Sequence, residues 1–446
     1  MTMSEDLTAL AADAYVYGFP LVTNLREVKK FTRDGLGSLP PAPFNSFSHA
    51  TALAGPAERF VSVNNDTVYS IAQADLSVGP LLLSVPDTAG RYYVLQFVDA
   101  WTNNFAYVGR RATGTAAGSF LLTPPHWKGS GPTGTSVIEF PTTVGSIVGR
   151  WACQGPDELP AVRALQAGLT LAPHGAGAAP RGIAPPAPEV PDGLDFYERL
   201  RSWARTFPPS DADLAYQRRF APLGLLESES PYRHCPPGLA AALTAGGEQG
   251  RQTMEESLRA DDISPVVNGW TLGFHGFDYN LDYLGPGTID DPAWKMPDRT
   301  ASYLARARAA RAGLWGNHGY EAAYARTFTD ADGDRLDGRH SYTLTFGAGQ
   351  DPPADAFWSI TMYDLPGFYL VANPIDRYSI GDRTPGLRRA ADGSLTIFMQ
   401  HEPPADTSNW LPAPAAPFRP ISRIYQPRAA VLDGSYRLPP ITKAIA

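Results

Sequence analysis

The stretch VNNDTVYS (63–70) sets Asn64, Asn65, Asp66, Thr67 and Tyr69 within six residues. A tight turn needs one or two Asx side chains to bond its own backbone, so the stretch holds more polar groups than a turn uses. Buried together, such groups must be satisfied by partners or by a ligand. The chemistry they suit is proton transfer on a small organic molecule. Asp66 would be the base or acid, Tyr69 a proton donor or orienting group, and Asn64 and Asn65 would stabilise developing negative charge. Thr67 would add a substrate contact. The competing reading is an Asx turn whose neighbours tie down a sheet edge.

Two more clusters have the same character. VDAWTNNFAYVGRR brings Asp99, Trp101, Asn103 and Asn104 together, with Arg110 and Arg111 at its end; its counterpart MYDLPGFYLVANPIDRYSIGD offers Tyr363 and Arg377. Aromatic area with a few fixed donors suits a small organic ligand, and Arg150 in IVGRW would hold an anionic group. No organic cofactor is expected, because the chain has no GxSxG elbow, no P-loop and no GxGxxG after a strand. No metal is expected either. Eight scattered histidines form no HxH or HExxH, and DADGDRLDG (330–338) puts Arg335 where a calcium loop needs Gly and Ser341 where it needs Glu. HGFD (275–278) reads either as an acid–base pair or as a core histidine with its partner.

The elements that must position these residues follow from pattern. Gly (42) and Pro (43) are abundant, as are aromatics, which fits short strands joined by many turns. Residues 1–40 read as a helical segment, with Leu7, Leu10, Ala11 and Ala14 on one face. Residues 41–171 form a first β-sandwich domain, whose strands include RFVSV, YSIAQADL, LLLSV, RYYVLQFVD, FLLT, SVIEF and SIVGRW. An Ala/Gly/Pro-rich linker spans 172–193. Residues 194–327 are helical, with stripes such as Phe196, Leu200, Trp203 and Phe207. Residues 328–446 return to strands, among them SYTLTF, AFWSITMYD, GFYLV, SLTIFMQ and RPISRIY. The fold class is therefore α+β, mainly β: two jelly-roll-like sandwiches joined by a helical segment. YYVLQFVD lies on FWSITMYD, with Asp99/Asp364, Ser119/Ser394 and Arg150/Arg423 in one order. That order suggests an internal duplication; shared strand patterning without common ancestry is the alternative.

Composition narrows the partners. A net charge of −8 without any Lys/Arg run argues against nucleic acid. No segment reaches the roughly 18 consecutive apolar residues that span a bilayer, and the N-terminus lacks the basic and apolar regions of a signal peptide. With two cysteines outside any CxxC pair, the expected address is the cytoplasm. The expected partner is a small organic metabolite, with a homo-oligomer left open.

Several of these stretches resemble a known family. AYVYGFPLV, VNNDTVYS, RYYVLQFVDAWTNNFAYVGRRATG and IVGRW are similar to the bacterial domain-of-unknown-function family 1254. AFWSITMYD, NPIDRYSIGD, ADGSLTIF, SNWLPAP and RIYQP are similar to its usual C-terminal companion, family 1214, and GLWGNHGYEAAY resembles the segment between them. The resemblance implies two β-sandwich domains with helices between and around them, and it implies little chemistry. Many relatives resemble exported or lipid-anchored proteins, a feature this N-terminus does not share.

Three functions remain in play. The leading one is an enzyme doing cofactor-independent acid–base chemistry (lyase, isomerase or hydrolase) in a polar pocket of the first β domain. The others are a non-catalytic small-molecule-binding or structural protein, and a metal-dependent oxidoreductase built from dispersed His and Asp. An enzyme needs a pocket of roughly 300 Å³ or more.

Overall fold

The Pro- and Gly-punctuated apolar runs fold as strands, because β-branched and aromatic side chains pack well on a pleated surface and the breakers fix the turns. The computed structural model describes residues 3–58, 61–175, 178–186, 189–260 and 264–444, with no side-chain description for 3–5. Strands β1–β9 are Phe47–His49, Thr67–Asp75, Leu81–Val85, Tyr93–Asp99, Asn104–Gly109, Gly118–Thr123, Ser136–Glu139, Val144–Ala152 and Thr170–Pro173. Strands β10–β19 are Val266–Val267, Trp270–Leu272, Ala322–Arg326, Tyr342–Phe346, Ala354–Asp364, Ser379–Gly381, Leu395–Gln400, Trp410–Pro412, Phe418–Pro427 and Ile441–Lys443. Helices α1–α7 are Met3–Asp34, Leu159–Gly168, Asp195–Thr206, Asp211–Gln217, Pro237–Ala260, Arg299–Gly313 and Ala429–Leu432.

The first β-rich domain has two open sheets, ordered β1-β2-β8-β4-β5 and β7-β6-β3-β9; the second has β10-β11-β12-β18-β14-β15 and β17-β16-β13-β19. The two orders match strand for strand from β2 onward, and β6–β7 and β16–β17 are the parallel pairs in each. The register matches as well. Arg150 lies opposite Tyr69 and Val94, and Arg423 lies opposite Tyr324 and Ser359. Within each domain the sheets pack through apolar side chains, such as Ala72, Leu83, Phe97 and Leu122 in the first and Leu344, Phe346, Ile360 and Ile397 in the second.

The β2-β8-β4-β5 sheet also meets the β12-β18-β14-β15 sheet. Tyr92, Val94, Tyr107 and Ala152 cluster there with Tyr320, Ala322, Phe357 and Tyr425. This explains why β4 and β8 are buried along their whole length: a face that would meet water in an isolated sandwich meets the other domain instead. The helices pack beside the first domain, α1 lying on α3, α5 and α6. Gly246 and Gly250, one turn apart in α5, permit that approach, since a Cβ would come within 2.4 Å of Ala11 Cβ and 2.8 Å of the Ala12 carbonyl oxygen.

Three expectations are corrected here. The strand RFVSV is absent over its described residues: Arg59 and Phe60 lie outside the described residues, and Val61–Asp66 are turn and coil, so VNND leads into β2 instead of closing a strand. GFYLV forms no strand; a single bridge joins Tyr363 and Leu370. The stretch 194–327 is not wholly helical, because β12 pairs with β18 and β11 and β10 add onto it in turn as the second domain's edge. β12 and β11 are stabilised by pairing with strands distant in sequence, which local periodicity does not register, and the two-residue β10 closes a hairpin on β11.

Candidate small-molecule site

The outward face of the β2–β8 pair carries Thr67, Tyr69 and Ile71 at alternate positions of one strand and Val148 and Arg150 at alternate positions of the other. Loop residues 36–39 and 50–54 and Trp315 close over this face and leave a cavity in which the centre of a water molecule can range over about 70 Å³. The room is for a group of a few heavy atoms, smaller than the ligand-sized pocket expected from the sequence.

Arg150 is the chemical centre of the cavity. The residue is 6 % exposed, and its guanidinium donates to Gln96 Oε1 (2.8 Å), Asn317 Oδ1 (3.3 Å) and the Trp315 carbonyl (2.7 Å). None of these is a carboxylate, and among the described residues Arg150 forms no salt bridge. A guanidinium stays charged in a protein, so a full positive charge is held in the cavity wall by neutral acceptors. It lies over the Tyr69 ring, 5.5 Å from the centroid. The Tyr69 hydroxyl oxygen accepts from Asn64 Nδ2. With its oxygen accepting, its own O–H proton is free for a ligand.

The other residues singled out in the sequence are placed as follows. Asn64 is the turn former: its Oδ1 accepts from the Asp66 and Thr67 amides and the Thr67 hydroxyl. Asn65 donates to the Ala54 carbonyl. Asp66 is buried with its carboxylate turned away from the cavity, its Oδ2 accepting from Ser359 Oγ (2.8 Å) and Tyr425 OH (3.1 Å) of the second domain. Asp99 accepts from the Asn103 amide and side chain at 2.8 and 2.9 Å, and burial pushes its pKa up to about 6. Trp101 donates to the Phe207 carbonyl, and Asn104 donates to the Gly316 carbonyl and accepts from Gln96. Tyr363 donates to the Val63 carbonyl across the domain boundary. Arg377 is spent on the carbonyls of Thr407, Ser408 and Trp410. The cavity thus gathers Thr67, Tyr69 and Arg150, with Asn64 directly behind Tyr69.

Trp315, Asn317, Gln96 and Glu58 were missed. Glu58 is the carboxylate among the described lining residues, and its Oε2 accepts from the Ser38 amide. GLWGNHGYEAAY contains Trp315 and Asn317, so that motif carried a usable signal. Neither a zinc-type cluster nor a calcium-type one occurs among the described residues. At DADGDRLDG, Asp330 Oδ1 accepts from the Asp332 and Asp334 amides as an Asx turn.

Residues 44–173 match the family described as a protein of unknown function, DUF1254, and residues 321–429 match the one described as DUF1214. The chain is a DUF1254–DUF1214 protein. The cavity belongs to the DUF1254 domain, closed in part by Trp315 just before the DUF1214 match. In fold, the chain is similar to the crystal structure of the VPA0106 protein from Vibrio parahaemolyticus, with 24% identity and a TM-score of 0.74 over 98% of this chain and 100% of that one. It is also similar to an uncharacterized protein from Burkholderia cenocepacia, at 11% identity and a TM-score of 0.44 over 99% of this chain and 95% of that one. No curated protein matches the chain.

Proposed function

We propose that the DUF1254 domain binds a small anionic metabolite, such as a short carboxylate, in the Arg150–Tyr69 cavity and acts on it by acid–base chemistry without an organic cofactor. The observation that carries the reading is a buried, charged Arg150 lining a cavity whose one described carboxylate, Glu58, bonds the Ser38 amide and forms no salt bridge with it. Burying a charge without a counter-ion is costly, and a ligand carboxylate would relieve that cost with charge-assisted hydrogen bonds. Tyr69 takes the role of proton donor: Asn64 donates to its oxygen, and that bond and the charge of the neighbouring Arg150 guanidinium would hold the phenolate once the proton has left. Asp66 enters only by fixing the turn that delivers Thr67 and Tyr69.

A second reading has its own observation. The Arg150 donors already reach Gln96, Asn317 and the Trp315 carbonyl, which is also how a purely structural tie between the domains would look. Thermal unfolding with acetate, propionate and succinate separates the two. Under the proposal, at least one raises Tm at millimolar concentration, Ala52→Phe in the cavity wall abolishes the rise, and Tyr69→Phe leaves folding intact while lowering any turnover by roughly 10²-fold to 10⁴-fold. No rise with any carboxylate returns Arg150 to a structural role.

We also infer that the two β domains arose by duplication and that the protein works in a reducing compartment, as the cytoplasm is. The matched strand orders support the first. Cys153, buried, and Cys235, half-buried, are both free and support the second. No described helix is long and apolar enough to cross a membrane.

A further inference from the structure

A second, larger opening lies between the two domains, where the centre of a water molecule can range over about 700 Å³. That falls within the span of small-molecule sites. Its walls are the turn 87–92, Arg110 and one side of α2 from the DUF1254 domain, with Phe357 and Arg383 from the DUF1214 domain. It shares no lining residue with the Arg150 cavity.

Three arginines face it, and their bonding differs. Arg91 is neutralised by Glu158 at 2.8 Å. Arg110 donates to the Asp355 carbonyl and Gln426 Oε1, and Arg383 donates to the Asp66 carbonyl at 3.3 Å; among the described residues neither forms a salt bridge. The lining therefore carries one more arginine than carboxylate, on a chain whose net charge is −8. A local excess of positive charge on an acidic protein draws in anions.

The apolar part of the wall is equally specific. The Arg383 guanidinium sits 3.4 Å from the Phe357 ring centroid, and Tyr92 meets Phe357 edge-on at 5.5 Å. Ala161, Ala164 and Leu165 of α2 also line the cleft. A planar guanidinium already stacked on one ring offers its second face to another. A ligand ring placed there would complete a ring–guanidinium–ring stack against the alanine wall.

We propose that the interdomain cleft is a binding site for an aromatic anion, its ring stacked on Arg383 and its charged group held by Arg110 and Arg383. The site is complete only when both domains contribute, so occupancy holds them together. Arg383 also grips the Asp66 carbonyl, one residue before Thr67 of the other cavity.

Phenyl phosphate and benzoate, with inorganic phosphate as the non-aromatic control, test this by titration calorimetry on the intact chain. At least one aromatic anion should bind at millimolar or lower concentration and at least tenfold more tightly than inorganic phosphate. Arg383→Gln should weaken it at least tenfold. Ala164→Trp fills the cleft from an exposed position of α2 and leaves every charge in place; it should abolish binding while leaving Tm unchanged. Failure of both aromatic anions to bind overturns the proposal, as does inorganic phosphate binding equally well, or Ala164→Trp binding like the wild type. Ala52→Phe, which blocks the other cavity, should leave this binding unchanged, so the two sites can fail separately.

Discussion

Glu321 illustrates how burial decides the behaviour of a single group. It is 3 % exposed, and desolvation pushes its pKa up to about 7 against the lowering effect of the Tyr92 hydroxyl that donates to it at 2.9 Å. Its ordinary value is 4.5. Below that value both folded and unfolded chains hold the proton, and its full contribution to stability is present. As pH rises to about 7 the unfolded chain releases the proton first, so stability is lost across that window and then levels off. Glu321→Gln keeps an acceptor for Tyr92 and never ionises. It should gain stability on the wild type between pH 4.5 and about 7, by at most about 3 kcal/mol, measured by urea unfolding across the range. A difference independent of pH would refute this. Asp99 shifts in the same direction, over a window that ends near pH 6.

At the scale of elements, strand pairing rests on close backbone approach. Gly109 and Gly381 hold the same place in the two domains, each ending an edge strand opposite Val94 and Ser359. A Cβ would stand 2.5 Å from the Tyr93 carbonyl oxygen at Gly109 and 2.0 Å from that of Trp358 at Gly381. The obstacle is backbone, which cannot step aside as a side chain would. Gly381→Ala should therefore cost about 2–3 kcal/mol in chemical denaturation, whereas Gly155→Ala, with open space around its Cβ, should cost almost nothing. Equal costs would mean that the β14–β15 edge yields. Strands such as LLLSV and SLTIFMQ were legible from their pattern. β10–β12 were not, since they are short and join the sheet in turn, β12 on the distant β18, β11 on β12 and β10 on β11.

In the whole molecule, the domains exchange contacts reciprocally. Arg150 reaches the Trp315 carbonyl and Asn317 in the lead into β12, and Arg423 reaches the Ser62 carbonyl in the lead into β2. Asp66 accepts from Ser359 and Tyr425, while Glu321 accepts from Tyr92. Such ties should make the chain unfold as one unit. Ser359→Ala with Tyr425→Phe strips the donors from Asp66 Oδ2 and should cost about 2–4 kcal/mol, seen in calorimetry as a single transition moved to lower temperature. A split into two transitions would show that the domains fold independently of this seam.

The sequence by itself determined what is local. Alternation along strands and the Pro/Gly breaks between them were readable, because each depends on residues within a few positions of one another, and the shared order of the Asp99/Asp364 and Arg150/Arg423 landmarks was readable because each landmark sits in a locally recognisable strand. It also marked VNNDTVYS as a place with more polar groups than a turn requires. Only the tertiary structure decided where those groups point. Asn64 spends its side-chain oxygen on the turn and its Nδ2 on Tyr69, Tyr69 lines the cavity, and Asp66 bonds to Ser359 and Tyr425, 293 and 359 residues away along the chain. A hydrogen bond spanning such a separation leaves no trace in spacing or periodicity, so the division between cavity and seam came from the packing of one domain on the other.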